Sequence, residues 1–512
     1  MMYRKLTVAA SLALALGVSA CDNGLTDVNK NPNSPESVSP SLLFPQAAVS
    51  SILRARSDME ITPSAFTHWP QYMAEYQYPE ISYYQFRPTT SDGWWANWYN
   101  GPIEDLDQAL RQTKARNLPN MTGPILVLRA FDYSTMTGIW GDIPFSQAGK
   151  GDSGIFTPVY DQQSVIYDSL FTSLADANTM MNSSATGSSA LTFDSQDPVY
   201  NGDVDQWKKF ANSLRARLAL NLSEANPTKA AAEMALAVAA GGFTSNADNA
   251  QITWPGDGVN DNPWCDTEKE GDCGGTRDDA RMSVTFIDTL LSLNDPRLAI
   301  YARPVQDPTC GPAVSCTPVA AGDYRGMPNG LLAGKAGDWG PRSSRLGTQV
   351  FAADQPSYFM TYAEFSFIKA EAAMRGWIPG GAVAATQYYN EGITASMEQW
   401  GVDAADIAPY LANPKVVLNT ASLATALPQI ITQKWIALYT QGFEAWSEWR
   451  RTGYPNLTPA ANATTTNGLI PRRVLYPQTE QSFNNTNLQA AITAQGGDQL
   501  EKCMWLDGTT CP

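Results

Sequence analysis

Few residues in this chain suit acid–base or nucleophilic chemistry. His68 is the single histidine among 512 residues, which rules out an imidazole relay or any metal site needing two imidazoles. Glu444 and Glu448, one helical turn apart, mimic the carboxylate pair of a glycosidase, whose members stand about 5 to 9.5 Å apart across a cleft. Arg450 and Arg451 follow on the same stretch, so the four read better as the polar side of a helix. No Gly-x-Ser-x-Gly elbow is present to hold a serine nucleophile. The acidic run Asp257, Asp261, Asp266, Glu268, Glu270, Asp272, Asp278 and Asp279 offers clustered oxygens of the kind calcium takes. It lacks EF-hand spacing and reads as a solvated acidic loop. Neither enzyme activity nor a metal or cofactor is expected.

Aromatic residues are abundant instead: 15 Trp, 21 Tyr and 17 Phe, with eleven aromatics between Trp69 and Tyr99. A flat ring stacks on the apolar C–H face of a sugar, and neutral or charged side chains at its edge hydrogen-bond the hydroxyl rim. Trp95, Trp98 and Tyr99 lead into a helical pattern and are assigned to core. Tyr78, Tyr83, Tyr84 and Phe86 lie between or beside Pro79 and Pro88 in a predicted loop. These four are ligand candidates, with Arg87 and Asp92 as polar edges. Trp254 before Pro255, Trp264 before Cys265, and Trp339 between Asp338 and Gly340 complete the candidate set. Each sits on a Gly/Pro-rich stretch with little helix core to satisfy.

Charge agrees with an uncharged ligand. The net charge is −16 and only 16% of residues are charged, which argues against nucleic acid and against docking on anionic lipid. The first 20 residues form an export signal, with Arg4 and Lys5 ahead of the apolar run Leu6 to Val18. That run is too short to span a bilayer, as is the Ala/Gly-rich Met234 to Phe243. It ends in Val18-Ser19-Ala20-Cys21, a lipobox pattern, so Cys21 is the expected lipidation site. The six remaining cysteines fall into close pairs: Cys265 with Cys273, Cys310 with Cys316, and Cys503 with Cys511. Their C-x7-C, C-x5-C and C-x7-C spacings match no zinc knuckle, and export favours local disulfides.

The elements that must carry these residues are mostly helical. Apolar residues recur at helical spacing over Ile103–Ala115 and Ile125–Trp140. Asp161 is placed to cap the next helix, which carries Ile166, Leu170, Leu174 and Ala177. Trp207, Phe210, Leu214, Leu218 and Leu222 make another stripe, with Lys208, Arg215 and Arg217 off it. Late helices are expected over Tyr362–Trp377 and over Pro428–Arg451, the latter as one unbroken element. Residues 241–356 and 452–512 are rich in turn-forming residues, and binding function tends to reside on such segments.

Several motifs, taken together, resemble the SusD/RagB family of outer-membrane nutrient-binding lipoproteins, in its SusD-like branch. They are Leu25-Thr26-Asp27-Val28-Asn29-Lys30-Asn31-Pro32-Asn33, Leu128-Arg129-Ala130 leading to Trp140-Gly141-Asp142-Ile143-Pro144-Phe145, and Trp207 followed by Phe210-Ala211-Asn212-Ser213-Leu214-Arg215. The most specific are Gln433-Lys434-Trp435-Ile436-Ala437-Leu438, Gly442-Phe443-Glu444-Ala445-Trp446 and Arg451-Thr452-Gly453-Tyr454-Pro455. The resemblance implies a mainly α fold, a tetratricopeptide-like scaffold of helix pairs with long inserted loops that form a glycan-binding face. It implies residues 1–20 as lipoprotein signal, 21–45 as lipidated tether, and 46–512 as a single domain with a loop-rich insertion at about 241–356. It further implies a SusC-like TonB-dependent β-barrel partner, and a lipid-anchored place on the outer membrane, at the surface of a Gram-negative cell. Asp22-Asn23-Gly24 after Cys21 is no acidic export tag, so surface location rests on the resemblance. Peptides or other nutrients are the alternative ligand class, with a surface glycosidase behind both.

Overall fold

The computed structural model describes residues 38–61, 64–269, 271–310 and 314–511, so Cys21, the signal segment and most of the tether lie outside the described residues. The tether was expected to run to Pro45, yet helix α1 already begins at Pro40 (Pro40–Ile52). Ser39 caps it by accepting from the Ser41 N–H, and Phe44 is buried, stacked on Phe193 with centroids 3.9 Å apart. A wider π-type turn, Leu53–Asp58, continues α1 and carries Arg56 into the interior.

The scaffold then follows as α2 (Pro88–Trp98), α3 (Glu104–Ala115), α4 (Pro119–Trp140), α5 (Gln163–Met180), α6 (Val204–Asn221) and α7 (Pro227–Ala239). After the insertion come α8 (Tyr362–Met374), α9 (Gly381–Gln399), α10 (Leu423–Ala437) and α11 (Gly442–Thr452). Helices next to each other in the chain pack together: α3 on α4, α4 on α5, α5 on α6, α6 on α7, and α8 on α9. Trp140, Trp207, Trp435 and Trp446 are fully buried between them.

Three expectations change. The Pro428–Arg451 stretch is two helices, broken at Thr440 (φ 70°), because the chain turns to press Gly442 against the Phe66 carbonyl, where a Cβ would collide. Asp161 does not cap α5. It pairs with Ile143 in a β-bridge and accepts from the Phe145 and Ser146 N–H groups, while Asp142 takes the first helical amide, that of Gln163 (2.9 Å). Arg217, off the apolar stripe, is nevertheless buried.

Its burial belongs to a charged core. Arg217 pairs with Glu364 (2.6 Å) and lies 3.6 Å from Glu444, which also takes both Nη atoms of Arg56 (2.8 and 3.1 Å). A second set joins Arg451 to Glu371 (2.7 Å) and Glu448 (2.6 Å), with Lys434 on Glu448 (3.0 Å). Glu444 and Glu448 are thus both buried and bound by cations rather than set across a cleft. Burial pushes Glu60 up to about 8, against the pull of Arg56 and with repulsion from Glu444 adding.

The insertion is not bare loop. Short strands, four of them within residues 241–356, make three two-stranded antiparallel pieces, from β1 (Met73–Glu75), β2 (Ala250–Ile252), β3 (Ala280–Met282), β4 (Ala302–Arg303), β5 (Arg345–Leu346) and β6 (Ser357–Met360), paired β1–β3, β2–β6 and β4–β5. Register Glu75↔Ala280 brings residues 277–279 beside the turn that follows β1. The three predicted disulfides are present. Cys265 is joined to Cys273, Cys310 to Cys316 and Cys503 to Cys511, with Cα–Cα separations of 5.5, 5.8 and 5.9 Å in that order.

Candidate functional site

The turn after β1 positions the exposed aromatic. The chain leaves Glu75, passes through Tyr78 and runs into a short 3-10 helix, Pro79–Tyr83, that ends at Tyr84. Tyr78 (φ 52°) and Tyr84 (φ 68°) both adopt the left-handed conformation, which costs a non-glycine residue about 1 kcal/mol or more and persists only where surroundings enforce it. Here Pro79 presets the first helical φ. The Glu75 N–H donates to Ser82 Oγ (3.0 Å), the Gln85 N–H to Glu80 O (2.9 Å), and Thr465 Oγ1 to Tyr84 O (2.9 Å). Tyr84 is buried, and its hydroxyl accepts from the Ala460 N–H (3.0 Å). This over-determined turn holds the Tyr78 ring outward, 65% exposed, with the Arg277 guanidinium 5.7 Å from its centroid.

Two cavities meet at this turn. One of about 330 Å³ is lined by Glu75, Tyr78, Glu80, Gln85, Arg87 and Arg277. The other, about 510 Å³, is lined by Glu80, Tyr84, Gln85, Phe86, Arg87, Asp498 and Glu501 among others. They share Glu80, Gln85 and Arg87, so together they form a two-lobed groove. Its rim offers donors and acceptors of both charges beside one open ring, and its volumes fall in the range of about 300–1,000 Å³ usual for ligand pockets. Burial pushes the Glu75 carboxyl up to about 8; the Ser64 hydroxyl bond (2.9 Å) opposes this, Asp279 and Glu80 add to it, and Arg277 also opposes it. At neutral pH Glu75, which lines the first lobe, therefore holds its proton.

The predicted residues separate by burial. Tyr78 and Arg87 are exposed in the groove. Tyr83 is half-buried against the core. Tyr84 and Phe86 belong to the wall, Phe86 lying 6.0 Å from the Trp69 ring and 5.5 Å from the Trp94 ring. Asp92 is not a free polar edge: its Oδ1 accepts from the Thr479 N–H (2.9 Å) and hydroxyl (3.0 Å). Trp254 and Trp264 are not open platforms either. The pairing of β2 with β6 carries Trp254 inward, where Nε1 donates to Ser357 Oγ (2.9 Å). Asn262 ties the Trp264 turn inward through its N–H to Ala353 O (2.8 Å). Trp339 is half-buried in a small cluster with Tyr76 and Ala336. Cys310 and Cys316 are half-buried and line neither lobe of the groove, so their bridge staples its own loop and takes no part in the site.

Glu75, Glu80, Gln85, Arg277, Asp498 and Glu501 escaped the sequence reading. Arg277, a cation within an acidic run, carried a weak signal, and the C-terminal pair carried none. The acidic run itself is largely engaged: Arg277 pairs with Asp279 (2.5 Å), Arg281 with Asp278 (2.6 Å), and Asp257 accepts from the Val259 and Asn260 N–H groups. Asp261, Asp266 and Cys273 converge, but that sulfur is bonded to Cys265, which leaves two carboxylates, fewer oxygens than calcium requires.

Known proteins of the same shape are numerous. A chitin-binding protein matches with TM-score 0.77 at 26% identity, over 91% of this chain and 99% of its own. A chitin-binding SusD homolog from Flavobacterium johnsoniae matches with TM-score 0.78 at 26% identity, over 91% and 98%. A SusD homolog from Bacteroides uniformis matches with TM-score 0.75 at 25% identity, over 91% and 99%. No curated protein matches the chain. No described helix is long and apolar enough to cross a membrane. The model of a family described as starch-binding and associating with the outer membrane matches residues 32–477, and the chain, helical throughout its scaffold like these homologs, belongs to that SusD-like family.

Proposed function

We propose that this protein is a lipid-anchored surface protein that binds a nutrient glycan in the two-lobed groove and passes it to a SusC-like TonB-dependent barrel. The observation that carries the reading is the Tyr78 ring, held outward by a strained and heavily bonded turn above a rim of hydrogen-bonding side chains. A ring fixed before the ligand arrives loses little conformational entropy on binding. Arg87 and Gln85 supply the donors that sugar hydroxyls accept. The family's description and the two chitin-binding homologs support a glycan over other ligands. No covalent step is assigned to the chain, and Cys21 is its lipid attachment point.

Titration calorimetry of the mature protein against chitin, malto- and xylo-oligosaccharides, with a mixed oligopeptide pool as comparator, tests the reading. At least one saccharide should bind, and Tyr78→Ala should weaken it about tenfold. Binding to peptides alone, or saccharide binding indifferent to both Tyr78→Ala and Arg87→Ala, would refute it. Intact-mass measurement of a lipid on Cys21 and co-purification of a large barrel check the anchoring and delivery steps.

A further inference from the structure

A different cavity, of about 380 Å³, lies where the start of α5 meets the C-terminal segment. Its lining includes Asp142, Gln162, Ser164, Gln495, Met504 and Trp505. We propose that it is a second saccharide subsite, with the Trp505 ring as its stacking platform. It stands apart from the Tyr78 groove and holds whether or not that groove takes a glycan.

Among the described residues Trp505 is the one exposed tryptophan, at 39%; the other tryptophans are buried or half-buried. Leaving so large a ring partly open to water is unfavourable, and here the fold holds it open by several bonds. The Cys503–Cys511 disulfide closes the segment around it. The Met504 N–H donates to Asp507 Oδ2 (2.8 Å), and the Leu506 N–H donates to Gln163 Oε1 (3.0 Å), tying both neighbours of Trp505 in place. The edge of Tyr167, on α5, supports the ring at 6.4 Å. Such a platform is preorganised in the sense that favours binding.

The opposite side of the cavity is polar and unspent. Among the described residues the Gln162 amide and the Ser164 hydroxyl make no side-chain hydrogen bond within the protein, and Asp142 uses Oδ1 alone, on the Gln163 N–H. Gly141 (φ 83°) lets Gln495 come close, since a Cβ there would collide with Gln495 Oε1. The Gln495 amide then donates to the Tyr476 hydroxyl, which fixes this wall. Among the described residues no Lys or Arg lines the cavity. With the Asp142 carboxylate already at the first amide of α5, an anionic ligand is opposed. A ring face beside an amide, a hydroxyl and a carboxylate is the complement of an uncharged pyranose, apolar on its C–H face and hydroxylated at its rim.

Hydroxyl-radical footprinting of the full mature protein, read by mass spectrometry at Trp505, tests this with chitohexaose, maltohexaose and xylohexaose as probes. At least one should slow Trp505 oxidation severalfold, and the protection should survive Tyr78→Ala, which separates this subsite from the groove. Gln162→Ala combined with Ser164→Ala, both at accessible positions, should raise the saccharide concentration needed for protection about tenfold. Equal oxidation of Trp505 with every probe overturns the proposal whatever happens at Tyr78, and so does protection by an oligopeptide pool with none by saccharide.

Discussion

Glu444→Gln removes one negative charge from the buried core while keeping the shape of the side chain. In the native protein the Arg56 and Arg217 guanidinium groups face Glu364, Glu444 and Glu60. Glu60, held up at about 8, keeps its proton at neutral pH, so Glu444 is the carboxylate that answers Arg56. Taking one partner from a buried pair leaves a charge uncompensated, at about 3–5 kcal/mol. The loss should depend on pH. Glu60 has a folded pKa above its unfolded value, so in the native protein its contribution to stability is lost as pH rises from about 4.5 to about 8. In the variant the repulsion from Glu444 is gone and Arg56 lacks its partner. Glu60 then ionises at lower pH, partly replaces the missing charge, and shortens that decline. The variant should therefore be about 3–5 kcal/mol less stable near pH 5, with the gap smaller by about 1 kcal/mol or more at pH 8. Equilibrium urea unfolding followed by tryptophan fluorescence reads both values. A loss under about 1 kcal/mol at both pH values, or a gap that widens with pH, would refute the reasoning. Ligand binding by the folded variant should be unchanged, since none of these residues lines the groove.

Further outcomes follow from the same kind of accounting. Burial lowers His68 to about 4 although its ring donates to Ser64 O (2.7 Å), so stability should fall as pH drops from about 6.5 through 4, by about 3 kcal/mol; His68→Asn should flatten that part of the urea-derived profile, and an unchanged profile contradicts it. Gly141→Ala forces a left-handed residue against Gln495 Oε1 and should cost about 1–3 kcal/mol in thermal unfolding. Replacing Cys265 and Cys273 together with Ser opens a bridge across 8 positions, a loss of about 2–3 kcal/mol; hydrogen exchange should quicken around residues 257–279 and not in α4 or α6.

Much of the fold was legible because helices declare themselves locally. Residues i and i+4 share a face, so the stripes of α3, α4, α5 and α6 show as repeats in the chain itself, and the cysteine pairs show as short spacings. The break between α10 and α11 was not legible, since it depends on Gly442 meeting the Phe66 carbonyl, a residue far off in the sequence. The groove was legible only in half. Tyr78 and Arg87 stood out as an aromatic and a cation flanking prolines, whereas Arg277, Asp498 and Glu501 reach it through the β1–β3 pairing and the folding back of the C-terminal segment.

By itself, then, the sequence determined the helical class, the sites of most helices, the cysteine partners, and the family to which their order belongs, because each rests on near neighbours or on motif order. Tertiary structure alone decided which side chains meet solvent. Tyr84 and Tyr78 are six positions apart in one aromatic run, yet one is buried under the Ala460 amide and the other open. Arg217 reads as a surface cation and lies instead against Glu364, 147 positions away. Burial is set by what packs from the far end of the chain, and a local pattern does not contain that information.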